Sequence, residues 1–178
     1  MHSSLERYIN SRKYKKEFEE LAISKDFVPE LIQLSENEDG QVRIRAVYAL
    51  GRIVENTENG LQEKEDVTNT FLKALHDQNK WVRGHAAHFL GRIYYPEEKI
   101  IDLMEDGCPW VRHRAAEAAG LIGSKYSHFA EKASPELSKL LDDKSSYVQY
   151  VALEALKKIS TDNQKLWKCQ EPLYESGN

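Results

Sequence analysis

The chain has 178 residues, 40% hydrophobic and 30% charged, with a formal net charge of -4 and a pI near 5.9. That is long enough for one domain with one continuous core, and it excludes a generally basic nucleic-acid-binding surface. No run approaches the roughly eighteen apolar residues of a membrane helix, MHSSLERYIN lacks the apolar centre of a signal peptide, and Cys108 and Cys169 make neither a CxxC pair nor a disulfide scaffold. These features predict a cytoplasmic, non-membrane protein with reduced thiols.

Leu5, Tyr8, Ile9, Phe18, Leu21 and Ala22 are spaced for an amphipathic helix over Ser4 to Ser24, so residues 1–27 are expected to form a capping helix. Pro29 opens a short helix through Leu31, Ile32 and Leu34; Ser35 to Gly40 is a turn, and a helix runs from Gln41 to about Glu55, with Asn56 to Gly60 ending it. A second unit begins near Glu63 with Val67, Phe71, Leu72 and Leu75 on one face, turns at His76 to Lys80 and continues from Trp81 to Tyr94. Pro96 opens a third through Ile100, Ile101, Leu103 and Met104, which restarts at Pro109 after a turn at Glu105 to Cys108. A short stretch from Ser124 to Ala133 precedes a fourth pair, in which Pro135, Leu137, Leu140 and Leu141 lead to a turn at Asp142 to Ser146 and a last helix to about Ser160. Residues 161–178 are expected to be a cap and tail. No segment alternates with period two, so no strands are expected.

The second helices repeat. QVRIRAVYALGRI, WVRGHAAHFLGRI, WVRHRAAEAAGLI and YVQYVALEALKKI share a Val (Val42, Val82, Val111, Val148), an Ala four on (Ala46, Ala86, Ala115, Ala152) and an Ile seven further (Ile53, Ile93, Ile122, Ile159). The Val spacings of 40, 29 and 37 residues suit one helical hairpin copied and stacked, since a lone hairpin cannot bury its apolar face. The expected fold is all-α, a right-handed α-solenoid of about four hairpins over 28–160. Seven of the nine arginines lie in the first three repeated segments.

Asn37, Asp77, Asp106 and Asp143 stand six positions before Arg43, Arg83, Arg112 and Gln149, and Val-Arg followed by Ala and Ala-Leu-Gly is similar to the HEAT-like repeat of the phycobilisome-lyase type over Leu31 to Ile159. The resemblance implies that turn Asp and second-helix Arg pair across adjacent repeats, in a structural ladder that includes Asp77, Asp106, Arg43, Arg83 and Arg112. Gln149 and Lys157 depart from the pattern, as suits a terminal cap. Gly51, Gly91 and Gly120 share one helical register, where each costs about 0.5–1 kcal/mol relative to Ala, so a neighbouring helix, a ligand or a partner backbone must approach there.

Counting Val42 and its equivalents as register 0, a helical wheel puts registers 0, 4, 7, 8 and 11 in the core and points registers 2, 6 and 9 into the concave groove. Register −1 (Gln41, Trp81, Trp110, Tyr147) lies on its rim, flanked by Arg45, His85 and Arg114 at register 3. Rim aromatics either cover the turns or serve as binding hot spots. The residues expected to touch a partner are Arg45, Tyr48, Trp81, His85, His88, Trp110, His113, Arg114, Glu117, Tyr147 and Tyr150.

His85, His88, His113 and Glu117 are spaced on two helices as metal ligands can be. VRHRAAEAAG resembles a segment of the HEAT-like deoxyhypusine hydroxylases, but the His-Glu dipeptide implied there for iron is absent, so no metal and no cofactor are expected. Cys108, before a helix-opening Pro109, has no identifiable base, and no phosphate loop or nucleophile elbow occurs. The chain is therefore expected to be a non-enzymatic scaffold, monomeric or weakly oligomeric, binding a protein or peptide of acidic or mixed charge. The alternatives are nucleic-acid binding along the Arg and aromatic face, as in a HEAT-like family of DNA alkyl-base glycosylases, and a lyase-type or degenerate metal-binding protein.

Overall fold

The computed structural model describes residues 24–57 and 64–170, the last of these, 162–170, by backbone alone. After a 3-10 turn at Lys25–Phe27 come eight helices: α1 (Val28–Leu34), α2 (Gly40–Asn56), α3 (Lys64–Ala74), α4 (Lys80–Arg92), α5 (Lys99–Asp102), α6 (Pro109–Gly123), α7 (Ser127–Lys139) and α8 (Ser146–Gln170). They form four hairpins, α1/α2, α3/α4, α5/α6 and α7/α8, stacked as an all-α superhelix with no strand among the described residues. The expected capping helix lies outside the described residues apart from 24–27.

Three boundaries differ from expectation. α4 stops at Arg92 rather than Tyr94, because Tyr94 takes a positive φ of 55°. The Tyr94 N–H donates to the Gly91 carbonyl and the Tyr95 N–H to that of Leu90, a Schellman closure with tyrosine where glycine is favoured. The Lys125 ammonium sits 3.4 Å from the Tyr94 ring centroid and holds it there. Pro135 opens no new helix. It lies inside α7, where Phe129, Ala130, Ala133 and Leu137 form one buried stripe that runs past it and outweighs the missing backbone bond. The last helix does not end near Ser160: α8 continues to Gln170 through a stretch with neither Gly nor Pro, so 161–170 are helix rather than cap and tail.

The first helix of the third unit is a single α turn followed by a 3-10 turn at Leu103–Glu105. The 29-residue interval between Val82 and Val111 leaves room for little more.

Part-buried arginine rungs tie the repeats together. Arg43 donates from Nε and Nη2 to both carboxylate oxygens of Asp77, at 2.7 and 2.9 Å. Arg83 does the same to Asp106, and Arg112 to Asp143. Each arginine also donates from Nη1 into its own turn: Arg43 to the Asn37 and Glu38 carbonyls, Arg83 to those of Asp77 and Gln78, Arg112 to that of Asp106. Each turn aspartate in turn accepts a backbone N–H two residues on, from Asn79, Cys108 and Ser145. One side chain thus closes a turn and fixes the next repeat's position.

The ladder ends in amides. Asn37 replaces Asp in the first turn and accepts the Asp39 N–H; Gln149 replaces Arg in α8 and still donates to the Asp143 carbonyl. Neither end carries a charge that lacks its rung.

The shared glycine register is where second helices touch. A Cβ on Gly51 would strike the Phe89 ring, one on Gly91 would lie 2.6 Å from the Ala118 Cα, and one on Gly120 2.7 Å from the Ala155 Cβ. Register 9 of each second helix therefore receives register 7 of the next. The second helices press together more closely than the first helices do, which curves the stack with α2, α4, α6 and α8 on its inner side.

Two outcomes test this framework. Arg112→Leu leaves the Asp143 carboxylate buried without its partner and is expected to cost about 2–4 kcal/mol by urea unfolding, with a loss under about 0.5 kcal/mol contradicting the rung. Gly91→Ala is expected to lower the melting temperature although alanine is the better helix former by about 1 kcal/mol; a raised melting temperature would refute the close approach.

Candidate functional site

Burial relocates the groove. Registers 2 and 9 are covered by the following repeat: Gly84, His113, Gly51, Gly91 and Gly120 are all buried. The second helices instead present registers 3, 6 and 10 to the concave side: Arg45, Tyr48 and Arg52 on α2; His85, His88 and Arg92 on α4; Arg114, Glu117 and Leu121 on α6; Val151, Glu154 and Lys158 on α8. This face is turned by roughly 70° from the direction the wheel predicted. A wheel separates core from solvent, whereas a stacked helix has a third side against its neighbour, and small residues hid that side here.

Tyr150 is consequently not in the groove. Nothing among the described residues covers register 2 of α8, so Tyr150 stands 61% exposed on the end face beside Leu153. Tyr147 is on the rim, stacked on His113 at 4.2 Å between ring centroids.

The other rim aromatics are joined. Trp110 fills the space beside Gly84, where a Cβ would collide with its ring, and meets Trp81 at 4.6 Å between centroids. Trp81 keeps 41% exposure, so it is an exposed edge on a packed base. His85 is edge-on to both Tyr48 and Trp110, each at 5.3 Å, and the Arg114 guanidinium lies 5.6 Å from the Trp110 centroid. His85 and His113 thus belong to the inter-repeat packing more than to an open contact surface.

A polar network crosses from α4 to α6. Arg114 Nη1 donates to Glu117 Oε2 at 2.8 Å, and His88 Nδ1 lies 3.3 Å from both Glu117 Oε2 and Arg114 Nη1, so its tautomer decides whether it donates to the first or accepts from the second. The His88 hydrogen bond, opposed by burial and supported by Arg114, holds the Glu117 carboxyl down to about 2. Burial, with the charges of Arg114 and His88, pushes the His85 imidazole down to about 4. Burial and Arg114 also lower His113, against the charge of Glu117. Among the described residues no group of three or more His, Cys, Asp or Glu side chains could hold a metal ion, so the spaced His85, His88, His113 and Glu117 do not converge as ligands.

Beside this network is a depression of about 270 Å³ between α4, α6 and α8, lined by Arg92, His113, Glu117, Gly120, Leu121, Val151, Glu154, Ala155 and Lys158. Sequence reasoning missed Arg92, Leu121, Val151 and Lys158. The signal was present at register 10, where LGRI, LGRI, AGLI and LKKI give Arg52, Arg92, Leu121 and Lys158. A larger hollow, about 680 Å³, lies between α1 and α3 on the opposite layer, where Asp66 and Lys73 give it no dominant charge.

The sequence profile of the adaptin N-terminal region matches residues 58–176, well over half of the chain. The chain belongs to the adaptin N-terminal region family. No curated protein matches it significantly. Solved structures similar to this adaptin-family repeat include a computationally designed armadillo repeat protein for modular peptide recognition (TM-score 0.64, 19% identity, 86% of this chain and 80% of that one). A designed armadillo repeat protein in complex with the peptide (KR)4 is similar at TM-score 0.64 and 19% identity, over 96% of this chain and 92% of that one. The complex of CpcE and CpcF of phycocyanin lyase from Nostoc sp. is similar at TM-score 0.63 and 19% identity, over 94% and 70%. These likenesses show a HEAT- and armadillo-like helical repeat fold. No helix among the described residues is long and apolar enough to cross a membrane.

The half-buried His85 gives the stack an acid sensitivity with a definite window. Below its ordinary value of 6.5 the unfolded chain takes up a proton that folded His85 refuses until about pH 4, so stability falls as pH falls through that interval. Urea unfolding at pH 5 is expected to show about 2 kcal/mol less stability than at pH 7 from this group, and His85→Phe to reduce that difference while keeping the ring contacts, leaving the part due to His113. Equal stability at both pH values would contradict a half-buried, neutral His85. Asp77 and Asp143, both held below the ordinary carboxylate value of 3.8, and Glu117 lose their contribution only at still lower pH.

Proposed function

We propose that the concave face of this repeat stack binds an extended acidic or mixed-charge segment of a partner protein and catalyses no reaction on it. The observation that carries this is the register 3, 6 and 10 surface, which runs unbroken across four helices and carries more cation than carboxylate. Its carboxylates are already engaged: Glu117 by Arg114 and His88, Glu154 by Lys157, and Glu55 beside it by Arg92. Arg45 and Lys158 are paired with no carboxylate of the described residues. A partially exposed tryptophan, Trp81, on the base of Trp110, which carries the Arg114 guanidinium on its ring, is the composition of binding hot spots.

Two findings on similar proteins support the reading. The designed armadillo proteins share this fold, one was made for modular peptide recognition, and another is seen with a peptide. That peptide is basic, whereas the cations at registers 3 and 10 here favour the opposite charge. The contacts proposed are Trp81, Arg45, Tyr48, Arg92 and Lys158, with Trp110, His85, His113 and Arg114 supporting them from behind.

Peptides selected by display against the whole protein should lose affinity by about tenfold or more on Trp81→Ala, with helicity by circular dichroism unchanged. Trp81 is the variant of choice because Trp110 also fills the space beside Gly84. Unaltered affinity in Trp81→Ala would overturn the placement.

A further inference from the structure

Register 10 is basic on α2, α4 and α8 and apolar on α6, so Arg92 and Lys158 flank Leu121 across the depression between α4, α6 and α8. Gly120 contributes no side chain, and Leu121, Val151 and Ala155 make the surface between the cations apolar. The opposite edge is register 6, where Glu117 and Glu154 carry negative charge. The two edges differ in what they can still accept. Glu117 is held by both Arg114 and His88, Glu154 and Arg92 each share one exposed pair, with Lys157 and Glu55, and Lys158 pairs with no described carboxylate, so the cation still open to a partner is on the register 10 edge.

From this we infer that the α4–α6–α8 depression is the specificity pocket for a carboxylate side chain of the bound segment, its methylenes on Leu121 and Val151 and its charge between Arg92 and Lys158. The inference rests on the groove-binding reading and adds a residue class to it. An aspartate or glutamate entering this pocket is drawn to the register 10 edge and repelled from the register 6 edge, so the pocket orients the side chain as well as attracting it. A phosphate backbone would also be attracted by the two cations. Glu117 and Glu154 in the same wall disfavour it, since a polyanion following the groove must pass both carboxylates.

The test uses the whole protein and fluorescently labelled short peptides of alternating Glu and Ala, with a Gln-for-Glu counterpart. The Glu peptide is expected to bind about tenfold or more tightly than the Gln peptide, and Lys158→Glu to remove that preference, with Trp81→Ala weakening both peptides. Lys158 is exposed, so its reversal leaves the core intact, and circular dichroism checks this. Equal binding of the two peptides, or a Glu preference that survives in Lys158→Glu, overturns the pocket; if Trp81→Ala still weakens both, the groove reading stands without it. Absence of binding by either peptide, or binding insensitive to both substitutions, overturns the pocket together with the groove. A single-stranded oligonucleotide that binds more tightly than the Glu peptide and depends on Lys158 also overturns the pocket, in favour of phosphate.

Discussion

The bidentate contact from a second-helix arginine to the next repeat's turn aspartate sets how every repeat stacks on its neighbour. A hydrophobic face alone would let one hairpin slide or rotate against the next, because apolar burial is not directional. The guanidinium fork is directional, and it is seated on carbonyls of its own turn before it reaches across. Three rungs in a row therefore repeat one stacking geometry three times. The Arg112 and Asp143 side chains are 15% and 6% exposed, so solvent screens that rung poorly and its loss leaves a stranded charge.

Repeating the geometry fixes which side of each second helix is hidden. With register 9 held against register 7 of the next helix, only glycine fits at Gly51, Gly91 and Gly120, and what remains exposed on the inner side is registers 3, 6 and 10. The polar groups of the groove are thereby held in place. Glu117 is kept ionised by His88 and Arg114, and His85 is kept neutral by burial and by the charges of Arg114 and His88. A surface whose side chains are already ordered loses less entropy on binding an extended segment, which is the advantage of a preorganised groove.

Much of the fold was legible because each repeat states it separately: the Val, Ala and Ile columns are core, and the turn acid six residues before an arginine marks the rung. The groove was legible in part. Arg45, Tyr48 and His88 lie on it, but Tyr150 stands on the end face, and His113 is buried in the contact to Tyr147. The error has one physical source. Periodicity records which side of a helix is apolar, and at registers 2 and 9 glycine and histidine pack against a neighbour without being apolar, so they looked exposed. The basic column at register 10 was visible in the repeated Gly-Arg-Ile, but it lies next to the buried glycine register and the wheel puts it off the predicted groove direction. The extra turns of α8 and the continuous α7 escaped for a different reason: buried stripes and the lack of a helix breaker, rather than a single proline, set where those helices run.

We propose that binding occurs on the inner face at registers 3, 6 and 10. Backbone amide chemical shifts, followed by NMR while the labelled protein is titrated with the alternating Glu and Ala peptide, test it most directly. Saturable shifts are expected to concentrate on α4, α6 and α8 around His88, Arg92, Leu121 and Lys158, with α1, α3 and α7 unmoved. Shifts centred instead on the hollow between Pro29 and Lys73, or spread evenly over both layers, would contradict it.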